Sequence, residues 1–226
     1  MKTIGILGGL GPESTCEYYR IITRRYYDLY GDYAYPEIII YSLTFSNFIH
    51  CGYEAADDIR DAILKLHRAG ADFVVAACNS IHIVYDAVAV DLPVPWISIM
   101  EVVAEEINRR KLVRVGLLGT IFTMSKGFYQ KALNAHGIET ITPESDEQHR
   151  INDIIFQELV RGITTAESKK YMLGIIDRLA ARGAEGVILG CTELPFLIQQ
   201  ADTVIPVLDS TELHARKALE LAVGAG

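Results

Sequence analysis

Three segments from the first half of the chain return in the second half, in the same order and at nearly constant spacing. Ile4-Gly-Ile-Leu-Gly8 resembles Val115-Gly-Leu-Leu-Gly119, 111 residues on. Gly70-Ala-Asp-Phe-Val-Val-Ala-Ala-Cys78 resembles Gly183-Ala-Glu-Gly-Val-Ile-Leu-Gly-Cys191, 113 residues on. Pro95-Trp-Ile-Ser-Ile-Met-Glu101 resembles Pro206-Val-Leu-Asp-Ser-Thr-Glu212, again 111 residues on. Strands of α/β proteins look alike, so one match means little. Three in register imply a duplicated domain, with a period too long for a solenoid array.

Within each half, short β-branched runs alternate with longer amphipathic stretches. Expected strands cover residues 3–7, 37–42, 72–77, 96–99, 114–118, 138–142, 186–189 and 205–208. Most are almost continuously apolar, the pattern of strands covered on both faces of a parallel sheet. The stretch Ala56–Arg68 sets Ile59, Ile63, Leu64 and Leu66 on or near one helical face. This alternation predicts an α/β fold. Two pseudo-symmetric lobes are expected, each with a roughly four-stranded parallel sheet and flanking helices. The first would take residues 1–100 plus 208–226 and the second residues 101–207.

Composition narrows the function. Half of the 226 residues are hydrophobic, enough for a sizeable core. The 21 Lys+Arg against 29 Asp+Glu, a formal net charge of -8, argue against a nucleic-acid groove. A local positive potential could still receive a small acidic substrate. The apolar run at the N-terminus is too short for a signal peptide, and no stretch is long enough to span a membrane. Cys16, Cys51, Cys78 and Cys191 form no CxxC pair and no disulfide framework. A cytoplasmic protein with reduced thiols is the expectation.

Ligands of open α/β sheets bind beyond the carboxyl ends of the strands. Cys78 and Cys191 close equivalent strands, so two lobes facing each other would place one thiol on each wall of a cleft. Each is followed by small or polar residues, Asn79-Ser80 and Thr192-Glu193. Asn79 and Thr192 are good N-caps. Helices starting there would favour an anion, either a substrate carboxylate or a thiolate of pKa lowered from roughly 8.5 toward neutrality. A lone cysteine at a strand end is ordinarily a buried core residue. The matched pair argues instead for function. Racemisation needs a base and an acid on opposite faces of one carbon, exchanging roles with direction, and two thiols suit that task.

The segments Gly8-Gly-Leu-Gly-Pro-Glu-Ser-Thr15, Cys78-Asn-Ser-Ile-His82 and Gly190-Cys-Thr-Glu-Leu-Pro195 together resemble the aspartate/glutamate racemase superfamily. Leu118-Gly-Thr-Ile-Phe-Thr-Met124, Ile151-Asn-Asp-Ile-Ile-Phe-Gln-Glu158 and Val207-Leu-Asp-Ser-Thr211 extend the similarity over nearly the whole chain. The likeness is to the branch with the glycine-rich start, which includes aspartate racemases and broader amino-acid racemases. The resemblance implies flavodoxin-like lobes, racemisation without pyridoxal phosphate or any other cofactor or metal, and a homodimer. It implies that Cys191 takes the proton from the L-enantiomer and Cys78 from the D-enantiomer. It also implies that Asn79, Ser80 and Thr192 hold the amino-acid head group, helped by backbone N–H groups around Leu10 and Ile81.

One departure concerns the distal carboxylate. Aspartate-specific members of the family carry an Arg after the second strand, but residues 42–53 contain neither Arg nor Lys, and His50 is the one group there that could be cationic. Lys169 would supply the contact from the second lobe; a solvated helix lysine is the plain alternative. His82, four residues after Cys78, could orient the site or be a hydrogen-bonded helix residue. Glu193 could tune the Cys191 thiol, although capping a helix is the expected role. Residues 209–211 could border the cleft or cap a helix. Tyr18, Tyr19, Tyr26, Tyr27 and Tyr30 could form a dimer face or pack on their own sheet.

Three rivals stand beside racemisation. A nucleotide site fails the GxGxxG pattern, because the third glycine position holds Ser14. A zinc site from Cys78, His82 and Cys191 lacks a chelating pair. A diacid isomerase, or a silent amino-acid-binding module, would use the same scaffold.

Overall fold

The computed structural model describes residues 1–48 and 52–224. The chain divides into two compact units, Met1–Val102 with Thr211–Gly226, and Val103–Ser210.

In the first unit, strand β1 (Ile4–Gly8) leads into helix α1 (Pro12–Tyr30), followed by β2 (Ile38–Ser42), α2 (Ala56–Arg68), β3 (Phe73–Ala76), the short α3 (Tyr85–Val88) and the start of α4 (Ile99–Arg109). β1 lies between β2 and β3, parallel to both, with Ile6 opposite Ile40 and Val75. Every residue of β1 and β3 is buried, as their unbroken apolar sequence requires. Helix α1 begins with Pro12 at its first turn, where the missing N–H costs nothing, and ends at Gly31 in the left-handed region. Its buried face carries Ser14, Thr15, Tyr18, Ile22 and Tyr26, spaced three to four residues apart beyond the first pair. The expected helix Ala56–Arg68 is present, and it buries Ile59, Ala62, Ile63 and Leu66.

The second unit repeats the plan. β4 (Arg114–Gly119), α5 (Ile121–Ser125), α6 (Phe128–Ala135), β5 (Glu139–Ile141), α7 (Ser145–Gln157), α8 (Ala166–Ala181), β6 (Gly186–Gly190) and β7 (Val207–Asp209) follow in order. The parallel sheet runs β5-β4-β6-β7. Helix α9 (Ser210–Val223) then returns to the first unit, where Ala215, Ala218, Leu219 and Ala222 join the core formed by Ile4, Ile6, Tyr18, Ile22, Phe73 and Val75.

One strand expectation needs correction. Residues 96–99 form no strand: Trp96 makes a single parallel bridge to Val74, and Ile99 already begins α4. The first sheet therefore has three strands where roughly four were expected. Ser98, four residues before Val102, accepts the Val102 N–H at 3.2 Å through its carbonyl and starts the helix before pairing can extend. Among the described residues, no helix is long and apolar enough to cross a membrane.

The loop after β1 is built for close approach. Gly9 has φ +81°, and a Cβ there would overlap the backbone of Leu43. Gly31 also has positive φ, but nothing lies within 4 Å of where its Cβ would be. Gly9→Ala should therefore destabilise by about 2–4 kcal/mol, against about 1 kcal/mol for Gly31→Ala. Urea unfolding of the two variants measures the difference, and equal losses would mean the Leu43 contact yields freely.

Candidate active site

In the first unit the glycine-rich loop is pinned beside the Cys78 turn. Gly9 N–H donates to Thr15 Oγ1 at 2.9 Å. The Ser14 hydroxyl faces two carbonyl oxygens, Gly11 at 2.7 Å and Ala77 at 3.0 Å. Ser14 and Thr15 are thus scaffolding, and the serine at the third-glycine position ties two loops together. Leu10 is buried in one of these loops, next to Gly9 and Gly11.

Cys78 follows β3 and is partly exposed. Asn79 and Ile81 are buried, and Ser80 is half-buried. The expected helix after Cys78 is a short 3₁₀ turn, Ser80–Val84, and Asn79 makes no side-chain cap. His82 accounts for this geometry. Its N–H bonds to the Asn79 carbonyl at 3.1 Å, an i to i+3 closure. Its ring Nδ1 meets the Cys78 carbonyl at 3.0 Å, and its Nε2 accepts the Ile99 N–H at 3.2 Å. These partners assign the tautomer with the proton on Nδ1. His82 is therefore a strut from the Cys78 carbonyl to the first turn of α4. With both nitrogens engaged, it has no lone pair left for zinc.

A second buried histidine lies behind the first. His214 Nδ1 accepts from the Tyr18 hydroxyl at 2.7 Å, and Nε2 faces the Ile97 carbonyl at 3.1 Å. The two imidazole centroids are 5.9 Å apart, and Trp96 packs on His82 at 5.1 Å. Burial pulls the His82 pKa down to about 4, against backbone hydrogen bonds that favour the charged ring. Burial, with repulsion from His82, takes His214 to about 3. Both rings are neutral at pH 7. Nothing in the sequence singled out His214, although it lies three residues beyond the Val207–Thr211 segment; its signal is a buried histidine among Ala215, Ala218, Leu219 and Ala222.

In the second unit Cys191 follows β6 directly and is buried. Its Sγ donates to Glu193 Oε2 at 3.0 Å, and Thr192 Oγ1 donates to the same oxygen at 2.8 Å. Here too the expected helix is only a 3₁₀ turn, Leu194–Phe196, with Pro195 inside it. Thr192 is not its N-cap. Glu193 holds that position without a side-chain capping bond, which overturns the capping role expected of it. The loop after β4, equivalent to the glycine-rich loop, is held by Asn152 Oδ1 accepting the Ile121 N–H at 3.0 Å.

Ser210, the first residue of α9, ties that helix to β6, its hydroxyl donating to the Leu189 carbonyl at 2.7 Å. Lys169 stands in α8, paired with Asp202 at 2.8 Å. His50 and Cys51 lie outside the described residues. Cys16 is exposed on α1. Tyr18 and Tyr26 pack into the first core, whereas Tyr19, Tyr27 and Tyr30 are exposed. Among the described residues no cluster of three metal-ligating side chains occurs.

Comparisons with known proteins bear on family and fold. The profile described as Asp/Glu/Hydantoin racemase matches residues 7–218. The broad specificity amino-acid racemase RacX of Bacillus subtilis is 28% identical over 226 residues, covering 96% of each chain. The crystal structure of an aspartate racemase homologue from Pyrococcus horikoshii superposes with a TM-score of 0.87 at 43% identity, over 99% of this chain and 100% of the other. The aspartate racemase of Picrophilus torridus gives a TM-score of 0.79 at 23% identity, over 99% and 95%, a likeness of fold.

The neutral histidine pair sets a pH dependence. Each ring binds a proton in the unfolded chain below about pH 6.5 but resists it in the fold down to about 4 or 3. The unfolded state thus binds more protons in that window, so stability is full above it and falls as pH drops through it. His82→Gln should lose about 1–3 kcal/mol at pH 7. It should also lose less than the wild type between pH 7 and pH 5. Urea titrations at the two pH values check this, and an equal pH slope in both proteins would refute it.

Proposed function

The chain belongs to the Asp/Glu/Hydantoin racemase family, and on that premise we propose that it racemises amino acids without pyridoxal phosphate, using Cys78 and Cys191 as the two proton-transfer groups. The carrying observation is positional. Each cysteine comes within two residues of the carboxyl end of the equivalent strand of its own parallel sheet, the edge where such folds bind ligands. The name of the Bacillus relative supports an amino acid as substrate, and a broad range of side chains.

The reaction removes the Cα proton to a thiolate and returns a proton to the opposite face from the other thiol. Each cysteine must exist once as S⁻ and once as S–H, so the enzyme carries one proton for two sulfurs. Asn79, Ser80 and Thr192 supply donors and acceptors for the α-carboxylate and α-ammonium. Backbone N–H groups at Leu10 and Ile81 add fixed dipoles that favour charge developing on the carboxylate. Holding the head group this way leaves the side chain free. Lys169 would read a distal carboxylate by exchanging Asp202 for it. The chemistry needs reduced thiols, hence a compartment such as the cytoplasm. The exposed tyrosines of α1 offer a surface for a second copy of the chain.

The direct test incubates purified protein with single enantiomers of aspartate, glutamate and neutral amino acids in D₂O. Deuterium should enter Cα as the enantiomers equalise. Cys78→Ala and Cys191→Ala should each lose racemisation by about 10²–10⁴-fold or more, the contribution of one acid–base group. Full racemisation by either variant would remove that thiol from the mechanism.

Lys169→Met should raise KM for aspartate and glutamate about tenfold, the worth of one charge-assisted hydrogen bond. It should leave KM for neutral amino acids unchanged. A uniform change across substrates would return Lys169 to a purely structural pairing with Asp202.

A further inference from the structure

A carboxylate sits against one candidate thiol, and capping does not explain it. Glu193 is 5% exposed. Burying a carboxyl group costs free energy that its hydrogen bonds must offset. The bonds it makes come from the Cys191 sulfur and the Thr192 hydroxyl, both to Oε2. Thr192 does not titrate in the working range of an enzyme. Cys191 belongs to a hydrophobic core cluster with Leu118, Met124, Leu189, Leu194 and Leu197. Low polarity strengthens the coupling between the thiol and the carboxylate. The corresponding position after Cys78 is Ser80, a hydroxyl. The duplicated halves therefore differ in acid–base chemistry at this point.

We propose, on the reading that Cys78 and Cys191 are the two proton-transfer groups, that Glu193 is a positioning residue that shares a single proton with the Cys191 thiol. In the resting protein the proton stays on sulfur and the carboxylate accepts it in a hydrogen bond. A thiolate at 3.0 Å from an ionised carboxylate would be opposed by like-charge repulsion. When Cys191 serves as base, its S–H bond breaks and the proton forms an O–H bond at Glu193 Oε2. The bonding electron pair remains on sulfur as the thiolate, and the net charge of the pair stays at minus one. Cys191 is then the resting proton donor and Cys78 the resting base; for Cys191 to serve as base, Cys78 first takes a proton from solvent, returns it to Cα, and Glu193 afterwards releases its proton to solvent.

Glu193→Gln keeps the shape and removes the acid. The substrate-free readout is the pH dependence of iodoacetamide alkylation at Cys191, followed by peptide mass spectrometry, with Cys78 in the same digest as reference. The midpoint for Cys191 should fall by about one unit or more in the variant, the effect of removing one like charge. The Cys78 midpoint should stay. In catalysis, the alkaline limb of the kcat/KM profile should move to lower pH by a similar amount. A Cys191 midpoint that is unmoved or raised overturns the shared proton.

If Glu193→Gln does not fold by circular dichroism, the wild type decides. Its Cys191 S–H stretching band in Raman spectra at neutral pH should lie below that of the exposed Cys16, as a bond to a carboxylate requires. Coincident bands, or no Cys191 S–H band, overturn the proposal. A shifted midpoint in a protein that racemises nothing would leave the shared proton standing and sink the two-thiol reading. Racemisation lost in both cysteine variants with an unmoved midpoint would do the reverse.

Discussion

Parallel pairing of each central strand with a neighbour on both sides is the constraint from which the rest follows. β1 bonds to β2 and β3, and β4 to β5 and β6. Parallel strands end at the same edge of their sheet. The loop Gly8–Gly11 and the Cys78 turn must therefore emerge side by side, as must the loop after β4 and the Cys191 turn. Neighbouring backbones at such an edge leave carbonyls without ladder partners. Ser14 meets this need at Ala77, and Ser210 at Leu189. Side chains that complete the sheet edge are thus the same ones that fix the loops carrying the candidate site.

The legible part of this architecture was the part governed by apolar burial. Seven of the eight expected strands form within two residues of their expected limits, and β1, β3 and β6 are buried throughout, as strands covered on both faces must be. The eighth, at 96–99, shares that apolar character but not its cause. Trp96 and Ile99 are buried under helices and rings, with one bridge in place of a ladder. Apolar runs of four residues do not distinguish a strand from the entry to a buried helix.

The turns after the cysteines misled for a different reason. Asn79 and Thr192 look like caps, and cap preference is a local rule. His82 overrides it from within its own turn by bonding backward to Cys78 and across to Ile99. Pro195 shortens the other turn, and Glu193 directs its carboxylate to Cys191 in place of the helix. Side chains within each turn thus outweigh the cap preference of Asn79 and Thr192. The cysteines themselves were visible because duplication supplied an internal comparison, which neither His214 nor Lys169 has.

Duplication also explains why the departures from symmetry carry chemical meaning. Both thiols come just after a strand of a parallel sheet, Cys78 partly exposed and Cys191 buried, and the side chains that support them differ. In the first unit the support of Cys78 is the His82 imidazole, which burial keeps uncharged and which acts on the Cys78 carbonyl. In the second unit the support of Cys191 is a carboxyl group acting on its sulfur. A neutral strut can set geometry without altering the charge of the group it holds. A carboxylate bonded to a thiol cannot avoid altering it. On the two-thiol reading, this inequality makes the resting enzyme ready for one enantiomer, whereas identical thiols would share the resting proton evenly and leave half of the molecules ready for each.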